Sequence, residues 1–229
     1  MIKENIQLIE DRIDAACKRS GRRAEEVTLI AVSKTRPVEA IREAMQAGIM
    51  TFGENRVQEL IHKADMINEP LNWHLIGHLQ RNKVKYMIDK VCLIHSVDSY
   101  QLAEQIQKEA LKADKIINIL IQVNIANEDT KFGVKAEQAS KLISQIAKLS
   151  NIRVKGLMMI APFVDNPEDN RIYFKYLKKL NVDIKSKSID NVTMEVLSMG
   201  MTEDFEVAIE EGATMVRIGT GIFGERIYE

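Results

Sequence analysis

The chain has 229 residues, 45% of them hydrophobic and 28% charged, with a formal net charge of -1. This is the balance of an ordinary globule: there is no basic excess to mark a nucleic-acid surface, and no apolar run nears the ~20 residues that span a bilayer. Cys17 and Cys92 are too few for a disulfide framework or a cysteine zinc site, and the charged start, Met1 to Asn5, is not that of a signal peptide, so a reducing, cytoplasmic setting is expected.

Ile2, Ile6, Ile9, Ile13 and Cys17 recur at helical spacing, which predicts an amphipathic helix over 2–19, ended by Ser20-Gly21. Val27 to Val32 is the first strand, and Lys34 lies just beyond it. Thr35 and Pro37 open a helix carrying Val38, Ile41 and Met45, closed at Gly48. Met50 to Gly53 is the second strand, and a helix over 56–67 follows. Trp73 to Gly77, Val91 to Ser96, Ile116 to Asn124, Ile152 to Ile160, Val192 to Leu197 and Met215 to Ile218 read as six further strands. Helices are expected between them: over 82–88, after Ser99, after Gly133, over 166–180 with a looser polar stretch to Asp190, and after Thr202, whose hydroxyl is expected to cap the helix holding Phe205, Ala208 and Ile209.

Eight strands thus alternate with helices, with no linker to break the series. Near-continuous apolar strands suit a sheet buried on both faces. The expected fold is α/β, a single (β/α)8 TIM barrel with an extra N-terminal helix, in one domain spanning residues 1–229. An open doubly wound sheet is the alternative.

In such folds the chemistry sits where the strands end. Those ends supply Lys34, then Gly53-Glu54-Asn55-Arg56, Gly77-His78, His95-Ser96, Asn124, Ser198-Met199-Gly200 and Gly219-Thr220-Gly221. The last two combine hydroxyls, glycines and helix-start amides, which suits a phosphate. Strand eight closes onto strand one in a barrel, so a phosphate cradle would adjoin Lys34. A phosphorylated ligand with a carbonyl fits that pairing. Pyridoxal 5′-phosphate (PLP) is one, and its proteins pair a lysine aldimine with a partner for the pyridine nitrogen. Arg217 is a candidate for that partner. Plainer readings stand beside each residue: Lys34 as a solvated or ion-paired lysine, Gly219 to Gly221 as a turn, Ser198 as a helix-start residue, Arg217 as a structural ion-pair partner, His78 and His95 as hydrogen-bonders. Lys83 and Lys131, in strand-mouth loops, are either solvated charges or amines able to compete for a carbonyl ligand.

Ala31 to Thr35, Phe52 to Glu59, Trp73 to Lys83, His95 to Ser99, Leu197 to Met201 and Val216 to Gly224 together resemble the pyridoxal-phosphate homeostasis protein family, from the first helix to the last residues. The resemblance implies a barrel like the N-terminal domain of alanine racemase and an internal aldimine between Lys34 and PLP. It implies phosphate contacts from Ser198, Gly200, Gly219 and Thr220, with Arg217 facing the pyridine nitrogen and Asn55 and His78 lining the ring pocket. The implied function is vitamin B6 homeostasis, binding, storing or delivering the cofactor with no established turnover; apart from the resemblance, apo PLP-dependent enzymes are the expected recipients and a monomer the expected state, with no nucleic-acid or membrane partner. A low-activity amino-acid racemase is the alternative. Against it, an arginine beside the pyridine nitrogen disfavours ring protonation, and no tyrosine (86, 100, 173, 176, 228) is expected at a strand mouth as a second base.

Overall fold

The computed structural model describes residues 1–128 and 130–225. In chain order they form α1 (Ile2–Arg19), β1 (Thr28–Val32), α2 (Val38–Gln46), β2 (Thr51–Glu54), α3 (Val57–Met66), β3 (Asn72–Leu75), α4 (Val84–Met87), β4 (Val91–Val97) and α5 (Tyr100–Lys112). The second half adds β5 (Ile117–Asn124), β6 (Val134–Lys135), α6 (Ala136–Ile146), β7 (Ile152–Met158), α7 (Arg171–Lys185), β8 (Val192–Met201), α8 (Phe205–Glu210), β9 (Met215–Ile218) and α9 (Thr220–Phe223). The parallel pairing runs β1-β2-β3-β4-β5-β7-β8-β9 and closes back onto β1. This is the expected (β/α)8 TIM barrel. β6 is an addition: its two residues pair with Val123 and Asn124, outside the ring.

Strand alternation sorts the side chains into two cores. Facing outward, Ala31, Phe52, Trp73, Ile94, Ile119 and Ile218 pack on helix residues such as Ile41, Leu60, Ile106 and Phe174. Inside the barrel, Leu93, Leu120 and Met158 form an apolar layer with Val196 and Met215. Two positions further along β4, β5, β8 and β9 stand His95, Gln122, Ser198 and Arg217, all buried, with His74 on β3. The barrel interior is therefore apolar at its floor and polar towards its C-terminal mouth.

α1 has a structural task that follows from the shortness of α9. A four-residue helix cannot cover the β9–β1 seam, and α1 lies there instead, against α2, α8 and α9. Its stripe, Ile6, Ile9 and Ile13, is buried, at roughly 1.5–3 kcal/mol per side chain. Asn5 donates to the Ile222 carbonyl at 2.9 Å, while Arg12 and Arg19 pair with Glu206 on α8.

Several expected boundaries move. β8 runs on to Met201, so Ser198 and Gly200 belong to the strand rather than to a loop. α7 extends to Lys185, with Asn181, polar but buried, donating from Nδ2 to the Met194 carbonyl at 3.1 Å. β3 and β7 stop earlier, at Leu75 and Met158. Thr202 does not cap α8. The N-cap position is Asp204, whose carboxylate turns back to accept from the Met201 amide (2.7 Å) and from Asn170 (2.8 Å).

Candidate functional site

Lys34 sits two residues after β1, in a turn whose Arg36 amide returns to the Ser33 carbonyl at 2.9 Å. It is half-buried and takes part in an interaction with its surroundings. The next residue, Thr35, has φ 62°, a left-handed conformation that is costly for a branched side chain. Behind the turn, Ser33 donates to Glu54 Oε1 at 2.6 Å, and Lys63 of α3 donates to the same oxygen at 2.8 Å. Burial raises the Glu54 carboxyl above its ordinary pKa, with Lys63 and Ser33 pulling it back.

The seam between β9 and β1 sets what lies beside Lys34. Ile30 pairs with Arg217 and Ala31 with Ile218. One step further, a β-carbon on Gly219 would stand 3.5 Å from the Val32 side chain and carbonyl. The Gly219 loop therefore adjoins the strand end that presents Lys34.

Arg217 is buried inside the barrel and doubly held. Its Nη1 donates to Ser198 Oγ at 2.6 Å and its Nη2 to the Met159 carbonyl at 2.8 Å. Ser198 Oγ is also 2.9 Å from His95 Nδ1, and His95 Nε2 is 3.0 Å from His74 Nδ1. Arginine only donates, so the Ser198 proton is best used towards His95 Nδ1. That leaves the His95 proton on Nε2, pointing at His74. Both rings are then neutral. Burial agrees, pushing His74 down to about 4 and holding His95 well below its ordinary value, where His74 and Arg217 add to the effect. Burial also lowers Arg217, to about 10, against the pull of Asp204, so it is still a cation at neutral pH. The Ser198 hydroxyl, expected in a phosphate loop, is thus spent on Arg217 and His95, because strand alternation turns it into the barrel.

The other mouth residues join through Thr202. Its hydroxyl is 3.1 Å from that of Thr220 and accepts from the Gly221 amide at 3.4 Å, tying the β8–α8 loop to the start of α9. Gly200, at φ 91°, passes so close to α8 that a β-carbon would lie 2.6 Å from that of Ala208. Asn55 is half-buried, its backbone pressed against Gly77, where a β-carbon would meet the Asn55 carbonyl at 2.3 Å. His78 is exposed and stacks on Phe132, centroids 3.8 Å apart, which links the rims beyond β3 and β5. Lys131 is paired with Glu128 at 2.6 Å and reaches the Ala161 carbonyl at 3.2 Å. Sequence reasoning left His74, Glu59 and Lys63 without a role and gave Thr202 only that of a helix cap. His74 stands alone between Trp73 and Leu75, a pattern that a solvated strand position would share. Among the described residues no cluster of three His, Cys, Asp or Glu could hold a metal, and no helix is long and apolar enough to cross a membrane.

A closed parallel barrel with a lysine just past its first strand and an arginine buried on its last is the arrangement expected of the alanine racemase N-terminal domain. The sequence model of that family, "Alanine racemase, N-terminal domain", matches residues 6–227. Within it, the chain belongs to the pyridoxal phosphate homeostasis proteins. The protein of that name from Aquifex aeolicus is 48% identical over 226 residues, covering 98% of both chains. PipY of Synechococcus elongatus, solved with PLP bound, is 34% identical with a TM-score of 0.85, covering 98% of this chain and 100% of that one. An alanine racemase from Clostridium difficile shares the fold (TM-score 0.75, 15% identity), with 99% of this chain matching 58% of that one.

Proposed function

We propose that this protein binds PLP through a Schiff base on Lys34 and holds it for vitamin B6 homeostasis in the cytoplasm, without turning over a substrate. The observation that carries this reading is the β9–β1 seam, which brings the strand end before Lys34 next to the Gly219 loop, with Arg217 buried on the same last strand. That donor set fits PLP. The Lys34 amine condenses with the aldehyde and releases water, reversibly. Gly200, Gly219 and Thr220, with Thr202 joining their loops, suit the phosphate. Ser198, proposed for the phosphate as well, has its hydroxyl on Arg217 and His95 and its carbonyl on the Met159 amide. Asn55 and His78 flank the ring. PLP itself supplies an electrophilic aldehyde and an electron-withdrawing ring.

Arg217 lowers the catalytic power expected of the site, although racemases with the same partner exist. A fixed cation facing the pyridine nitrogen disfavours its protonation, and an unprotonated ring is the weaker electron sink. A second acid/base opposite Lys34, as racemisation needs, is not supplied by the described tyrosines. Tyr86, Tyr173 and Tyr176 ride on α4 and α7, and Tyr100 heads α5 with its ring against the outer core. Tyr228 lies outside the described residues. The protein acts as a monomer and gives up PLP to apo PLP-dependent enzymes.

The test is direct. Mixed with PLP, the wild type gains an imine absorption band. Borohydride then fixes a phosphopyridoxyl group on Lys34, read by mass spectrometry, and Lys34→Ala loses both signals. No amino acid is racemised or transaminated above buffer. Lys34-dependent racemisation at enzymatic rates would replace the carrier by the racemase reading. Wild-type protein with no adduct on Lys34 would sink both.

A further inference from the structure

We propose that Glu59 and Lys63, one turn apart on α3, are positioning residues that grip the backbone on both sides of Lys34 and so aim its amine. The inference rests on Lys34 being the residue that takes the aldehyde. Lys63 Nζ donates to the Ser33 carbonyl at 2.6 Å, and Glu59 Oε1 accepts from the Thr35 amide at 2.5 Å. These are the peptide groups immediately before and after Lys34. The two side chains also bond each other at 2.6 Å, so the grip is one unit. Glu54 backs it from β2, accepting from both Lys63 and Ser33.

Two features set this apart from an ordinary helix ion pair. First, Lys63 is buried, on the same stripe of α3 as Val57 and Leu60. An apolar side chain of its size would be cheaper there, since burying an ion pair costs several kcal/mol per ion in desolvation. Glu54 is wholly buried as well, and its Oε2 has no hydrogen-bond partner among the described residues. Second, the grip closes on a residue in a costly conformation, Thr35 at φ 62°. Such a conformation persists only where its surroundings over-determine it. A left-handed residue directly after Lys34 turns the chain sharply there, and the bonds from α3 fix the peptide groups on both sides of the Lys34 α-carbon. An amine aimed in this way condenses with the aldehyde without first losing orientational freedom, and it re-closes an opened imine before the ligand escapes.

Two sets of variants test the role. Glu59→Ala removes the acceptor for Thr35, whereas Glu59→Gln keeps an oxygen there. Glu59 is partly exposed, so neither change opens the core. Glu54→Gln/Lys63→Met removes the two buried charges together and keeps their volume, while Glu59, which loses Lys63, is partly exposed and keeps the Thr35 amide. PLP release into a trapping apo-enzyme is timed for each, with the imine absorption band recorded. The expected result is release at least about ten-fold faster for Glu59→Ala and for the double variant, with a shifted imine band. Glu59→Gln should stay near the wild type. Variants that lose thermal stability but release PLP at the wild-type rate, with an unmoved band, would assign these residues to folding alone and overturn the inference. Absence of any Lys34 adduct in the wild type would sink the cofactor reading as well, so the two failures are told apart.

Discussion

The run Arg217, Ser198, His95, His74 has a direction fixed by chemistry at one end. Because the guanidinium can only donate, every later group is best satisfied with both imidazoles neutral. This makes the barrel interior acid-sensitive. His74 titrates at about 4 when folded and His95 well below its ordinary value, whereas both return to the usual histidine range, near 6.5, on unfolding. Their folded pKa values are depressed, so their contribution is complete above about pH 6.5 and is lost as pH falls towards 4. Each ring adds a slope of up to about 1.4 kcal/mol per pH unit. Glu54 works the other way in part of that window, since its raised pKa favours the folded state as protons bind. The histidine share therefore has to be read as a difference. Urea unfolding at pH 7, 6 and 5 should show the wild type losing stability faster than a His74→Gln/His95→Gln variant, with curves that converge as pH falls. Parallel curves would mean that the rings are not the source.

At the scale of elements, the end of β8 decides the shape of the mouth. Ser198 and Gly200 interrupt the apolar run that identifies a strand, so sequence alone ends β8 at Leu197 and places both in a loop. The strand continues because Gly200 accepts φ 91° and lets α8 come close, with Ala208 and Phe205 against it. A β-carbon there meets backbone as well as side chain, so Gly200→Ala is expected to destabilise the fold by about 2 kcal/mol or more. It should also weaken PLP binding by displacing the Thr202–Thr220 link. Equilibrium unfolding and PLP titration would check this, and a variant as stable as wild type would show that α8 shifts without cost. Thr202 was legible as a helix-start hydroxyl but not as a bridge, because its partner lies 18 residues on in another loop. Glu59 and Lys63 hid for a similar reason. An i,i+4 acid–base pair on a helix reads as a solvated face, and only the packing of α3 on β2 and β3, with Glu54 and the Ser33 carbonyl around its amine, shows Lys63 to be inside. The strands themselves were legible, since a sheet covered on both faces must spell its apolar residues almost without a break. The polar layer within it was not, because a lone His or Ser per strand carries no periodicity.

For the whole molecule, closure is what couples the two ends of the chain. β9 completes the ring beside β1, and α1 covers the seam that the four-residue α9 leaves open. The proposed cofactor site is built across that same seam, with Lys34 from one end and Arg217, Gly219 and Thr220 from the other. A ligand held there bridges the first and last strands, and unfolding must release it. Ligand at 100 times its dissociation constant then adds about 2.7 kcal/mol, or roughly 5–10 °C in melting temperature for a chain of this size. Surface lysines also form imines with PLP, but they do so equally in the unfolded chain and so add nothing to stability. Calorimetry across rising PLP concentrations should therefore show a saturable rise in wild type and none in Lys34→Ala. Pyridoxal, which keeps the aldehyde but lacks the phosphate, should give a smaller rise at equal concentration, because it engages β1 without drawing on the Gly219 loop. An equal rise with pyridoxal would remove the phosphate cradle from the account, and a rise retained in Lys34→Ala would remove the Schiff base.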